Sequence, residues 1–143
     1  MADWIRDDEL GIWARYSPTD EQRAVIQAPV DKPIRLVAGA GTGKTETITN
    51  RFVWLVVTFG LDPTRILAVT FTDRAAGELE RRIAESLYRN KVSPPQGRLY
   101  IHTFHGLCSR ILSQHAYDAE LPGHVDVLDE VGAGVLLDRV FEA

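Results

Sequence analysis

Eight residues in the first third of the chain, Ala38-Gly39-Ala40-Gly41-Thr42-Gly43-Lys44-Thr45, constrain the fold more than any other stretch. They follow a short apolar run, Ile34-Arg35-Leu36-Val37-Ala38, of the kind that forms a buried parallel strand. They precede a segment in which Ile48, Phe52, Leu55, Val56 and Phe59 recur at helical spacing, with Gly60 as a natural stop. In a strand–glycine loop–helix unit, backbone N–H groups can turn inward around a phosphate while the helix aims its positive end at the same place. The Lys44 ammonium then reaches the β- and γ-phosphates, and the Thr45 hydroxyl is placed to ligate Mg²⁺. Residues Ala38, Gly39, Ala40, Gly41, Thr42, Gly43, Lys44 and Thr45 are therefore the candidate nucleotide-binding set. Lys44 and Thr45 are the candidate catalytic residues, Thr45 the metal ligand, and ATP and Mg²⁺ the implied cofactors. Ala38 departs from the strict pattern, which asks for Gly there, but the glycines at 39, 41 and 43 remain. A flexible turn that happens to precede a lysine is the plain alternative, and the flanking strand and helix patterns decide against it.

The rest of the chain repeats the same alternation. Residues 3–15 are charged with interleaved Trp4, Ile5, Leu10, Ile12 and Trp13, a pattern that predicts a short amphipathic helix. Thr19 is an N-cap candidate with Gln22 at capping-box spacing, opening a helix to about Gln27. Arg65–Thr70 reads as a second strand, Asp73–Tyr88 as a helix, Leu99–His102 as a third strand, and Phe104–His115 as a further helix. Leu121–His124 reads as a turn, 126–128 as a brief extended piece, and Asp129–Phe141 as a helix weakened by Gly132 and Gly134. Strands alternating with helices imply right-handed crossovers and a parallel sheet, hence an α/β fold. Three strands make a thin sheet, so the expectation is a piece of a larger domain.

Composition sets limits. The chain has 143 residues, 45% hydrophobic and 25% charged, the profile of an ordinary globular domain rather than a disordered one. Its longest apolar run, Phe52–Val57, falls far short of the roughly 20 residues a membrane helix needs. The start, Met1-Ala2-Asp3-Trp4, has neither the basic end nor the apolar core of a signal peptide, and the one cysteine, Cys108, has no internal partner. The default expectation is a cytoplasmic protein without a membrane partner. A formal net charge of −4 argues against a whole-surface nucleic-acid binder, so any such contact must be local. His102 and His105, with Cys108 three residues further on, make a weak metal set because no carboxylate stands at ligand spacing.

Three further segments narrow what the glycine loop serves. Ser17–Ala24 reads S-P-T-D-E-Q-R-A, residues 68–76 read A-V-T-F-T-D-R-A-A, and Glu78–Ile83 reads E-L-E-R-R-I. Ile101–Leu112 reads I-H-T-F-H-G-L-C-S-R-I-L. Taken in order with the loop, they resemble the Q motif, motif I, motif Ia and the T-F-H segment of the superfamily 1, UvrD/Rep-like DNA helicases, and cover about residues 17–112. The I-H-T-F-H-G-L-C stretch is also similar to the RecB/AddA-like helicase-nucleases. The resemblance implies that the Gln22 amide reads adenine, donating to N7 and accepting from the exocyclic amine. It implies that Phe71 stacks on a base of single-stranded DNA, and that Thr72, Arg74, Thr103 and His105 meet the DNA as well. On the residues alone, Gln22 reads as a capping residue and Phe71 as core. Glu46 departs from the family, many members of which carry a basic residue just after the loop.

The same resemblance implies a partial RecA-like P-loop domain ending inside a helical insertion. Its expected parts are an N-terminal helical extension (1–16), the ATP-binding part of motor domain 1A (17–118), and the start of a 1B-type insertion (119–143). The family's D-E-x-Q motif is not found, since Asp129-Glu130 is followed by Val131-Gly132. The implied whole is an ATP-dependent helicase that translocates on single-stranded DNA and unwinds duplex in repair or recombination. Its partners would be DNA and the remainder of the helicase chain, including a second motor domain. The present residues alone would hydrolyse little or no ATP. Two alternatives stay open: a naturally truncated ATP-binding module without motor activity, and a small P-loop kinase or regulatory NTPase. Neither the strand end at Thr70 nor that at His102 supplies the carboxylate the kinase reading needs.

Overall fold

The computed structural model describes residues 4–93, 97–121 and 130–141. The chain divides into two compact units, Met1–Ile101 and His102–Ala143.

The first unit opens on an antiparallel hairpin, β1 (Ile5–Asp7) and β2 (Ile12–Ala14), where an amphipathic helix was expected. Asp7 faces Ile12 and Ile5 faces Ala14 in its register. The apolar spacing of residues 3–15 fits either period, and local turn chemistry selects the shorter one. Gly11 takes φ 68°, which favours glycine, and the Asp7 carboxylate accepts the Leu10 N–H at 3.0 Å across the loop. Burial then alternates along β2, with Ile12 and Ala14 inside and Trp13 between them half-buried. The outer edge of β2 is closed by a side chain. Asn90 accepts the Trp13 N–H at 2.8 Å and donates to the Trp13 carbonyl at 3.0 Å, standing in for a third strand.

Helix α1 (Asp20–Ile26) starts as expected. The Thr19 hydroxyl accepts the Gln22 N–H, and the Gln22 side chain accepts the Thr19 N–H, completing a capping box. Its last carbonyls are taken by one guanidinium group, as Arg51 donates to Val25, Ile26 and Ala28 at 2.8, 2.9 and 3.0 Å. Arg51 belongs to α2 (Lys44–Phe59), the long helix after the glycine loop, which ends at Gly60 in the left-handed conformation. Strand β3 (Leu67–Thr70) and helix α3 (Asp73–Arg89) follow, then β4 (Tyr100–Thr103). Strands β3 and β4 pair in a two-stranded parallel sheet.

The core of this unit is one cluster. Leu10 and Ile12 from the hairpin, Ile26 from α1, Phe52, Val53 and Val56 from α2, and Leu79, Ile83 and Leu87 from α3 pack together with Leu99 and Ile101. Residues 34–38 do not join it. The expected strand is absent there, because a strand exists only through its hydrogen-bonded neighbour and this segment has none among the described residues. Its apolar side chains are correspondingly open, Ile34 at 41% and Val37 at 80% exposure. Among the described residues the parallel sheet thus has two strands rather than three.

The second unit carries α4 (Phe104–Gln114) and α5 (Glu130–Phe141). The Thr103 hydroxyl caps α4 by accepting the Gly106 N–H at 3.1 Å. Along α5, Val135, Leu136, Leu137, Val140 and Phe141 are exposed. The expected turn at 121–124 and extended piece at 126–128 lie outside the described residues, Leu121 excepted. No described helix is long and apolar enough to cross a membrane.

Candidate functional site

The glycine loop reaches α2 through two residues in the left-handed region, Gly41 at φ 76° and Gly43 at φ 84°. Gly43 is also the N-cap of α2. A Cβ at Gly43 would lie 3.0 Å from Gln22 Nε2, so the conformation favours glycine and a side chain would press on the Gln22 amide. The loop is braced from within, since the Thr42 hydroxyl donates to the Gly39 carbonyl at 2.8 Å. It is braced from α1 as well, where Gln22 Nε2 donates to the Thr42 carbonyl at 3.1 Å. Lys44 folds back over the loop, its ammonium donating to the Ala38 carbonyl at 2.8 Å and to the Gly39 carbonyl. Thr45 is exposed at the first turn of α2.

These groups border an open cleft of about 600 Å³. Gln22, Gly41, Thr42, Gly43, Lys44 and Thr45 line it together, so the structure gathers the sequence-derived residues from α1 and the loop on one concave surface. Ala38 is tied to the site through Lys44, while Gly39 and Ala40 continue the loop away from the cleft wall. The cleft also has walls that the sequence reading did not assign: Tyr16 and Ser17 before α1, Glu46 and Asn50 on α2, and Arg82 on α3.

Glu46 is only 9% exposed, and Asn50 is 2% exposed. The Asn50 Oδ1 is buried with no hydrogen-bond partner. Arg82 faces Glu46 at 3.6 Å, an ion pair too long to be a hydrogen bond, while its Nε is held by Glu78 at 2.6 Å. Burial pushes the Glu46 carboxyl above its ordinary value, although the charges of Arg82 and Arg15 and a hydrogen bond from the Arg15 backbone draw it partly back. Spacing alone could have flagged the pair, because residues 46 and 50 share a helix face one turn apart.

The residues implied to meet DNA lie elsewhere. In the first unit Phe71 stands at the corner between β3 and α3, 88% exposed, so the plain core reading fails for it. Thr72 caps α3 by accepting the Ala75 N–H at 3.2 Å, and Arg74 is exposed on the first turn. In the second unit Thr103 is buried as the α4 cap and His105 is exposed on the first turn. Among the described residues no cluster of His, Cys, Asp and Glu could hold a metal ion by itself.

Residues 18–143 match the family described as UvrD/REP helicase N-terminal domain. The chain is 38% identical over 127 residues to DNA helicase II of Escherichia coli, covering 89% of this chain and 17% of that protein. It is 35% identical over 114 residues to the ATP-dependent DNA helicase PcrA of Bacillus subtilis, covering 76% of this chain and 15% of the relative. It is 33% identical over 122 residues to the ATP-dependent DNA helicase SRS2 of Saccharomyces cerevisiae, covering 85% and 10%. The chain thus spans 17% or less of the length of these relatives.

Proposed function

Because the chain belongs to the UvrD/REP helicase N-terminal domain family, we propose that it forms the ATP-binding part of a RecA-like first motor domain in an ATP-dependent DNA helicase. The observation that carries this reading is the cleft at the head of α2, where the glycine loop, Lys44, Thr45 and Gln22 converge. In it Lys44 leaves the carbonyls of Ala38 and Gly39 for the β- and γ-phosphates. That exchange replaces neutral acceptors with charged ones, which hold an ammonium more strongly. The first turn of α2 adds backbone N–H groups that favour the same anion.

The donor set also fits magnesium, since the Thr45 hydroxyl stands exposed beside Lys44, and bound Mg²⁺ would offset the charge on the phosphate oxygens. Gln22 contributes by bracing the loop through Thr42 and, in this reading, by facing the adenine ring. At the β3–α3 corner the exposed Phe71 ring offers a stacking surface for a base of single-stranded DNA, with Thr72 and Arg74 beside it. Such stacking is worth about 1–3 kcal/mol and tolerates any sequence. His105 would meet the DNA backbone at the N-terminus of α4, where backbone N–H groups favour phosphate and Thr103 serves as the buried cap. In the whole protein, ATP binding and hydrolysis between two motor lobes would drive translocation along single-stranded DNA and unwind the duplex ahead.

Lys44→Ala tests the nucleotide site. Calorimetry is expected to show ATP binding by the chain and none by the variant, with the same far-ultraviolet circular dichroism for both. Unchanged ATP affinity in a folded variant overturns the assignment.

A further inference from the structure

The β1–β2 hairpin lies ahead of residues 18–143, the part of the chain that matches the helicase family. Leu10 and Ile12 join it to the core, but several of its polar contacts run to α1. Asp7, only 6% exposed, uses both carboxylate oxygens. One accepts the Leu10 N–H at 3.0 Å and so shapes the hairpin turn. The other accepts from Arg23 Nε at 3.2 Å and from Nη2 at 3.0 Å. Glu9 adds a second attachment. Its carboxylate lies 3.4 Å from Arg23 Nε, and its carbonyl accepts a side-chain N–H of Gln27 at 3.3 Å. A buried carboxylate loses its hydration, and only a well-placed partner offsets that loss, so Asp7 dictates where Arg23 sits.

Helix α1 depends on such attachments. It has seven residues, well below the roughly 12–15 at which an isolated helix becomes even marginally stable in water. Its anchors are Ile26 in the core, Arg51 at its last carbonyls, and Asp7 with Glu9 at Arg23. Arg23 follows directly on Gln22, whose Nε2 donates to the Thr42 carbonyl at 3.1 Å. We infer that Asp7 is a positioning residue for the nucleotide site: by holding Arg23 it fixes α1, and α1 carries the Gln22 amide to the glycine loop. Asp7 does not itself line the cleft. It acts by preorganisation, since a loop already held in its binding conformation loses less freedom when phosphate arrives. The opposite edge of the hairpin plays a different part. There Asn90, the C-cap of α3, bonds the Trp13 N–H and carbonyl at 2.8 and 3.0 Å, and neither bond involves α1.

This inference rests on the nucleotide reading, and the test keeps the two apart. Calorimetric Kd values for ATP are measured on the chain, Asp7→Asn and Asn90→Ala, at a temperature where circular dichroism shows each one folded. Asp7→Asn is expected to weaken ATP about fivefold, within the range for residues that act on a site without touching its ligand. Asn90→Ala removes two hydrogen bonds from the same hairpin, so it is expected to lower Tm yet to keep Kd within about twofold. In heteronuclear NMR spectra the Gln22 side-chain amide signals are expected to shift in Asp7→Asn and to stay in place in Asn90→Ala. Arg23→Lys keeps the charge and one hydrogen bond, so it serves if Asp7→Asn does not fold, with a loss of about threefold expected. An unchanged Kd in the folded variant overturns the inference, and so does an equal loss in Asn90→Ala, which would tie affinity to hairpin stability in general. Weaker binding with an unmoved Gln22 signal overturns it too, because the route through α1 would then be absent. An unaltered chain that binds no ATP fails the nucleotide reading itself, and the inference with it.

Discussion

Residues 12–14 and residues 34–38 are both short apolar runs, and they end in opposite states. Strand β2 pairs with β1 on one side and with the Asn90 amide on the other, and its inward side chains rest on α2 and α3. Among the described residues the run before the glycine loop has no strand beside it, and Val37 is 80% exposed. Their side chains are similarly apolar, so hydrophobicity does not separate them. What differs is the supply of partners for the backbone. A buried strand must satisfy its N–H and C=O groups, and only β2 finds a neighbour that does so. An apolar run marks where a strand can form, and the surrounding elements determine whether it does.

The packed side of this contrast gives the largest expected effect. Ile83 is fully buried on α3, in the cluster that also holds Ile12, Val53 and Leu79. Ile83→Ala removes buried methylene groups and leaves a cavity, at a cost of about 2–5 kcal/mol. Urea unfolding monitored by circular dichroism should show a lower midpoint with an unchanged slope. A midpoint shift near zero would mean that hairpin, α2 and α3 do not share one core.

The hairpin's electrostatic brace comes next. Burial pushes the Asp7 carboxyl up, but the Leu10 N–H and the Arg23 guanidinium outweigh it and hold it below its ordinary value of 3.8. Arg23 approaches through Nε at 3.2 Å and Nη2 at 3.0 Å. Because the folded-state value is depressed, this carboxylate stabilises the fold above pH 3.8 and loses that contribution as the pH falls toward the lower folded-state value. Asp7→Asn should therefore lower Tm at pH 7, with the gap to the unaltered chain closing as the pH drops below 3.8. A gap that stays constant with pH would remove the carboxylate charge from the explanation.

Where local rules decide, the sequence is legible. The Thr19–Gln22 box, the start of α2 at Lys44, its stop at Gly60, and helices α3 and α4 follow from caps, glycines and period. The glycine loop and Lys44 were visible for the same reason. The hairpin was missed because Trp4, Ile5, Leu10, Ile12 and Trp13 fit a helical face as well as an alternating one. The deciding signals were Gly11 and the reach of Asp7 to Leu10, both turn chemistry. Arg82 was out of reach for another reason. It meets the glycine loop only because α2 and α3 pack side by side, a tertiary fact that no single segment encodes.

The open side of the contrast gives the smallest effect and the most direct check on it. Val37 contributes almost nothing to the core in this arrangement, so Val37→Ser should change stability by no more than about 0.5 kcal/mol. The same replacement at Ile12, which is fully buried, should cost several times more, because it removes apolar contact and buries a hydroxyl. Both can be read from one set of urea curves. If Val37→Ser were as damaging as Ile12→Ser, residues 34–38 would be packed in solution, and pairing would extend to the run before the glycine loop. A near-zero effect would mean that the loop stands on α2, on its own internal hydrogen bonds and on the Gln22–Thr42 brace, with Val37 left open to solvent.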